Sequence, residues 1–283
     1  MGLKCGIIGL ANVGKTTIFN CMSSTKALTS NVATGTGKSN ISTINVPDNR
    51  LYELEKFQPT ERIVHTTVEI VDIPGLSKTT GKGEGNKFLA DVRNCDALIH
   101  VLRCFDDPSL PHIDGSIDPV RDIETVNFEL QVRDLESVEK KLQKVEKAAK
   151  VGDKEAKKAF EVLSVYKNHL ESFKNASTVP VDEHDKKYVD DLFLLTTKPV
   201  IYVCNVDEKS AVNGNQYSNR VKEFLKDEKT EILIIAGKVE AEISELESED
   251  DRKAFLADVG LTEPGVNKLI RAAYSLLNLE TFF

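Results

Sequence analysis

The segment Gly9-Leu-Ala-Asn-Val-Gly14-Lys15-Thr16-Thr17 directly follows the apolar run Cys5-Gly6-Ile7-Ile8. Two glycines spaced this way and followed by Lys-Thr make the phosphate-binding P-loop pattern. Glycines let the backbone wrap an anion with successive N–H groups turned inward. A helix opening at Thr17-Ile-Phe-Asn-Cys-Met adds the positive end of its dipole. Asn12, Val13, Gly14, Lys15, Thr16 and Thr17 are therefore the candidate phosphate cradle. Lys15 reaches the β- and γ-phosphates in such a site, and the Thr16 hydroxyl ligates Mg²⁺. Further along, Val71-Asp72-Ile-Pro-Gly75 ends a β-branched run. An Asp there suits a water-linked contact to Mg²⁺, and the Gly75 N–H suits contact with the γ-phosphate. The next residue is Leu76, where Ras-type GTPases carry the Gln that orients the attacking water. Leucine cannot hydrogen-bond water, so something else must position it, or turnover is slow.

The base-reading candidates lie later in the chain. Asn205-Val206-Asp207-Glu208 stands where guanine-specific proteins carry Asn-Lys-x-Asp. Asn205 can bond a base edge. The longer Glu208 carboxylate no longer matches the paired donors of guanine, which points toward adenine or a relaxed choice. Ala236-Gly237-Lys238 is expected to close over the base with backbone N–H groups.

These residues need strands to present them. Short apolar runs at 4–9, 66–71, 97–102, 200–204 and 232–235 alternate with helical patterns. That alternation predicts an α/β fold, a mostly parallel sheet covered on both faces. In such sheets ligands bind at the carboxyl ends of the strands. Residues 118–195 differ. Leu135, Val138, Leu142, Val145 and Ala149 form an a/d stripe in a charged helical run over 122–150. Gly152-Asp153 punctuates it, and a second run over 154–173 places Phe160, Leu163, Tyr166, Leu170 and Phe173 on one face. The expected organisation is a nucleotide domain of residues 1–117 and 196–283, interrupted by a helical coiled-coil hairpin over 118–195. Lys140, Lys141, Lys144, Lys147, Lys150, Lys154, Lys157 and Lys158 crowd the hairpin, partly offset by Glu139, Glu146, Asp153 and Glu155. Two readings stay open: a solvated helix face, or a docking surface for RNA or an acidic partner.

Composition narrows the classes. A chain of 283 residues suits one large or two modest domains. A net charge of −8 argues against a surface coated in nucleic acid but leaves room for a local basic patch. No run is long enough to span a membrane, and the N-terminus lacks the apolar core of a signal peptide. Cys5, Cys21, Cys95, Cys104 and Cys204 show no paired spacing and read as buried reduced thiols of a cytoplasmic protein.

Together these motifs resemble the Obg-like ATPase (YchF) family of P-loop proteins. The P-loop, the Asn205–Glu208 segment and Gly81-Lys-Gly-Glu-Gly85-Asn-Lys-Phe88 match its patterns. So do Arg103-Cys-Phe-Asp, His112 through Pro119, Glu263-Pro-Gly265 and Leu277 through Thr281. The resemblance implies a Ras-like sheet with a coiled-coil insertion, ATP preferred over GTP, and links to ribosomes, translation and stress responses. It also implies that Thr36 caps Mg²⁺ in the triphosphate state, beside Thr16 and Asp72, with Lys15, Thr36 and Gly75 as the catalytic set.

Three departures stand out. Family members continue into a small TGS domain where this sequence stops at Phe283, so a member lacking that domain is expected. The switch segment reads Asn31-Val-Ala-Thr-Gly-Thr36 without the family's Pro and aromatic anchors, and the following Gly37-Lys-Ser-Asn40 reads as flexible and polar. The loop Gly83-Glu-Gly85-Asn-Lys is shorter than its family counterpart.

The expected function is a Mg²⁺-dependent, slowly hydrolysing ATP switch. Its alternatives are a nucleotide-binding regulator or scaffold with negligible hydrolysis, and a GTPase. Asn12 is open to two roles, shaping the loop or holding K⁺ beside the phosphates. His112 is read as a structural histidine against a catalytic one.

Overall fold

The computed structural model describes residues 3–24, 40–74, 82–276 and 279. Thr36, Gly75, Leu76 and most of the 81–88 segment lie outside these residues or have no described side chain.

Six strands form one sheet in the order β2-β3-β1-β4-β5-β6. They are β1 (Leu3–Ile8), β2 (Asn40–Asn45), β3 (Thr67–Asp72), β4 (Ala97–Cys104), β5 (Val200–Val206) and β6 (Glu231–Ile235). All neighbours run parallel except β2, which pairs antiparallel with β3 from Asn40 opposite Asp72 to Asn45 opposite Thr67. The five expected strands are present. The edge strand β2 is an addition, and Asn40 opens it rather than closing a flexible polar stretch. Its Asn-Ile-Ser-Thr-Ile-Asn alternation buries Ser42 and Ile44 and leaves Ile41 and Thr43 exposed, as an edge strand requires. By contrast, every residue of β4 is buried, Ala97 through Cys104.

Nine helices are described: α1 (Lys15–Ser24), α2 (Asn49–Phe57), α3 (Lys82–Arg93), α4 (Pro119–Lys150), α5 (Lys154–Glu171), α6 (Gln216–Phe224), α7 (Gly237–Glu245), α8 (Glu249–Val259) and α9 (Gly265–Ser275). α1 packs against α7 and α9, burying Ile18, Phe19 and Met22. Glu240, buried on α7, accepts the Gly265 N–H at 2.7 Å and the Val266 N–H at 3.3 Å, so its carboxylate sits on the N-terminus of α9. Burial nonetheless raises its pKa, against those two bonds.

The chain divides into two compact units, residues 1–122 with 199–283, and residues 123–198. The boundary falls inside α4, later than residue 118, because the first turn of α4 is tied to the sheet-bearing unit: Asp122 accepts from His112 at 3.0 Å and Asp118 from Arg220 at 3.0 Å.

Within the second unit, Gly152 at φ 101° turns the chain from α4 to α5, and Asp153 caps α5 by accepting from the Ala156 N–H at 2.9 Å. Val138, Val162, Leu163, Tyr166 and Leu170 form its core with Ala176, Val179, Val189 and Leu194. These last four come from a run of short 3₁₀ turns over 176–197, a third layer that helical periodicity does not announce. Buried Asp134 fastens that layer, accepting from Leu195 N at 2.6 Å, Thr196 N at 2.8 Å and Thr196 Oγ1 at 2.7 Å. Phe173 is a correction: α5 ends at Glu171, and Phe173 takes φ 58° and stays 69% exposed.

His100, in the middle of β4, is 1% exposed, and its Nε2 has no hydrogen-bond partner among the described residues. Burial, reinforced by the Lys15 charge, lowers its pKa to about 3. The unfolded chain takes up a proton here near pH 6.5 that the folded chain refuses. His100 therefore costs stability progressively as pH falls from 6.5 toward 3, by ~1.4 kcal/mol per pH unit. His100→Phe should remove that slope. Urea unfolding of both proteins at pH 6, 5 and 4 should show the variant gaining on the wild type by about that amount per unit. Parallel curves would mean that His100 is protonated in the fold.

Candidate functional site

β1 lies between β3 and β4, so the chain departs to opposite sides of it and leaves a crevice beyond its carboxyl end. The P-loop fills that position. Gly9, at φ 143°, passes so close to β4 that a Cβ would lie 2.4 Å from the Val101 carbonyl oxygen. Gly14, at φ 95°, passes under Asn205, whose Nδ2 would lie 2.2 Å from a Cβ. Only glycine fits either place. α1 starts at Lys15, two residues earlier than expected, so Lys15 and Thr16 belong to its first turn.

Lys15 is buried, and its Nζ donates to the Leu10 carbonyl at 2.6 Å. Burial lowers its pKa to about 8, against the opposing pull of the Asp72 charge. Asp72 closes β3, and its Oδ2 accepts from Thr16 Oγ1 at 2.9 Å. Burial raises the Asp72 pKa, while Thr16 and Lys15 work the other way. A hydroxyl and a carboxylate brought together from the P-loop and β3 make a hard oxygen donor pair of the kind Mg²⁺ takes. Asn12 holds φ 61°, and its Nδ2 donates to the Pro111 carbonyl at 3.3 Å, a loop-shaping contact.

Asn205 is 5% exposed. Its Nδ2 donates to the Val13 carbonyl at 2.9 Å, and its Oδ1 accepts from the Gly237 N–H at 2.9 Å. It therefore bonds the P-loop to the first turn of α7. One N–H expected to close over a base, that of Gly237, is committed to Asn205 instead. Val206 and Ala236 are buried, while Glu208 and Lys238 are exposed. Asp207 holds the turn that carries Glu208, accepting from the Ser210 N–H and hydroxyl at 3.0 Å each.

These residues surround a cleft of about 920 Å³. Asn12 and Gly14 through Thr17 line it, with Asn205 through Lys209, and Gly237, Lys238 and Ala241. Phe105, Asp106, Asp107 and Leu110 complete the lining. Motif reading assigned no role to those four, nor to Lys209 and Ala241. Their signal is positional: β4 ends between β1 and β5, so the residues after it must edge the same crevice.

His112 does not line the cleft. With Asp114 and Asp122 it makes a group of metal-ligand types within 4.8 Å. The Asp114 N–H donates to His112 Nδ1 at 3.1 Å, which leaves the proton on Nε2, donated to Asp122 at 3.0 Å. The Arg121 guanidinium stands 3.7 Å from both Asp114 and Asp122 and supplies the positive charge there. This cluster ties the first turn of α4 to the 112–114 turn.

A family model described as a 50S ribosome-binding GTPase matches residues 4–163. The ribosome-binding ATPase YchF of Bacillus subtilis is 42% identical over 287 aligned residues, covering 100% of this chain and 78% of that protein. Its Haemophilus influenzae counterpart is 43% identical with the same coverage. The chain belongs to the YchF family. The solved structure of the Schizosaccharomyces pombe YchF GTPase matches with a TM-score of 0.83 at 27% identity, over 98% of this chain and 76% of that one. The sheet and P-loop described above are thus those of a YchF-family P-loop NTPase, with the helical hairpin inserted between β4 and β5.

The Lys15 environment makes a pH signature. Its depressed pKa means that the ammonium is lost above about pH 8. An anion beside Nζ favours the charged form and moves the pKa back up. Triphosphate binding should therefore take up a proton near pH 8 and weaken above it by up to about tenfold per pH unit. Calorimetry in buffers of different ionisation enthalpy measures that uptake directly. Equal heats in all buffers would show that Lys15 is fully charged before the ligand arrives.

Proposed function

We propose that this protein is a Mg²⁺-dependent ATP-binding switch with slow intrinsic hydrolysis, cytoplasmic and acting on the ribosome. The observation that carries it is that Asp72 meets the Thr16 hydroxyl beside buried Lys15, and that Lys15 and Thr16 line one cleft with Asn205–Glu208. The P-loop backbone and Lys15 hold the β- and γ-phosphates in line for attack by water. Thr16 and Asp72 hold Mg²⁺, with Thr36 completing the set in the triphosphate state. When bound, Mg²⁺ neutralises charge on the phosphate oxygens. Gly75 relays the γ-phosphate to the segment after β3. Leu76 offers the attacking water no hydrogen bond, which is the reason for expecting slow turnover. K⁺ at the Asn12 carboxamide oxygen is the remaining component, and it requires faster hydrolysis in K⁺ than in Na⁺.

Base choice rests on Glu208, since Asn205 spends a donor and an acceptor on the protein backbone. Relatives named both ATPase and GTPase keep GTP as the competing substrate. Glu208→Asp should shift the ratio of GTP to ATP affinity upward by about tenfold. Competition of unlabelled ATP and GTP against a fluorescent analogue reads this, and an unchanged ratio would mean that backbone groups choose the base.

The ribosome enters through the names of the bacterial relatives and through the hairpin. Lys140, Lys144 and Lys147 recur at spacings of four and three on α4, are exposed, and make no ion pair among the described residues. Lys141, Lys150 and Lys158 are paired with Asp191, Glu146 and Asp185. If Lys140, Lys144 and Lys147 contact ribosomal RNA, replacing these three with Glu should weaken co-sedimentation with ribosomes and flatten its salt dependence. Undiminished co-sedimentation would leave them a solvated face.

A further inference from the structure

Arg103, next to last in β4, is 2% exposed and makes no ion pair among the described residues. Its guanidinium instead serves one short segment. Nε donates to the Phe105 carbonyl at 3.2 Å, Nη1 to Leu110 at 2.8 Å and Nη2 to Asp107 at 3.1 Å. Its Cζ lies 4.9 Å from the centre of the Phe105 ring. A guanidinium taken out of water is stable only while its donors are met. The carbonyls of 105–110 therefore have to stay on Arg103, and that fixes the path of the segment.

The same segment walls the cleft with Phe105, Asp106, Asp107 and Leu110. Its place along the cleft follows from strand register. β4 pairs with β1 only as far as His100 opposite Ile8, then runs on beside β5, with Arg103 opposite Asn205 and Cys104 opposite Val206. The wall accordingly rises beside Asn205–Lys209, and just past Leu110 it meets the P-loop, where Asn12 Nδ2 donates to the Pro111 carbonyl at 3.3 Å. Asn215 Nδ2 donates to the Cys104 carbonyl at 2.7 Å and the Tyr217 hydroxyl to Asp106 at 3.0 Å, bracing the segment from the α6 side.

We propose that Arg103 is a positioning residue for the base half of the cleft. It holds an apolar wall, Phe105 and Leu110, at a fixed distance from Val206 and Ala241, as a flat purine ring requires, and it takes no part in the grip on phosphate. The inference rests on the cleft being a nucleotide site. The discriminating probes are Mg²⁺ complexes of ATP and of inorganic tripolyphosphate, which has the phosphates and no base. In the full chain, Arg103→Lys keeps the charge but not the three-way donor geometry. It should weaken ATP by about tenfold, leave tripolyphosphate binding about unchanged, and raise KM while kcat is kept. Leu110→Ala leaves Arg103 in place, trims the wall directly, and should reproduce the selective loss. Unchanged ATP affinity, or a parallel loss of both ligands, overturns the proposal. If Arg103→Lys does not fold, Leu110→Ala decides: a selective loss supports the wall, and equal or absent loss overturns it. A wild-type chain that binds neither probe would instead overturn the nucleotide reading itself, and a chain that binds tripolyphosphate but not ATP overturns the wall alone.

Discussion

The Asn205 carboxamide is the contact on which the site depends. It reaches from the end of β5 to the Val13 carbonyl in the P-loop and to the Gly237 N–H at the head of α7. Three segments far apart in sequence thereby keep one geometry. The contact exists only because Gly14 has no Cβ, since a side chain there would stand 2.2 Å from the Asn205 nitrogen. Each such bond is worth about 1 kcal/mol net, but a buried amide left without its partner costs more, about 1–3 kcal/mol. The asymmetry makes the arrangement rigid. If the P-loop shifts, Asn205 loses a partner that water cannot replace, because the group is 95% enclosed.

Buried charge is handled by the same rule throughout. Lys15 leans on the Leu10 carbonyl, Asp72 on the Thr16 hydroxyl, Arg103 on three carbonyls, Asp134 on two backbone N–H groups and a hydroxyl, and Glu240 on the head of a helix. These groups divide by what they can still do. Asp134 and Glu240 each take their bonds from backbone that only folding brings there, so they specify packing. Lys15 and Asp72 are each shifted toward neutrality by burial and each held by one hydrogen bond. The triphosphate and divalent cation of the proposed function would supply the opposite charge that favours the ionised form of each group.

How legible the molecule was depended on whether a feature is local. The P-loop is a contiguous string whose glycines have local reasons, and β4 is a contiguous apolar run, so both were readable from composition and spacing. Asp72 and Asn205 were readable because each ends such a run. β2 was missed because an edge strand with one covered face buries little, and Asn-Ile-Ser-Thr-Ile-Asn lacks the apolar density of its neighbours. The 176–197 layer was missed because 3₁₀ turns have no long period. The layer declares itself only by packing on α5 and by donating to Asp134 from Leu195 and Thr196. Phe173 was misassigned because the 3.6-residue period continues past Glu171 while the backbone does not, Phe173 having turned to positive φ.

Base discrimination brings these strands together. The sequence marks Asn205 as a base reader, yet it donates to Val13 and accepts from Gly237, and changing it would disturb the P-loop before it altered any preference. On the proposed reading, selectivity is then carried by groups that can vary without that penalty. Glu208 is one, exposed on a turn that Asp207 holds independently. The Phe105–Leu110 segment is another on the proposed reading, held from behind by Arg103 and met at Pro111 by Asn12 of the P-loop. On that reading, a P-loop locked to the sheet and a base end carried on variable loops would let relatives keep one fold and one P-loop while differing in the nucleotide for which they are named.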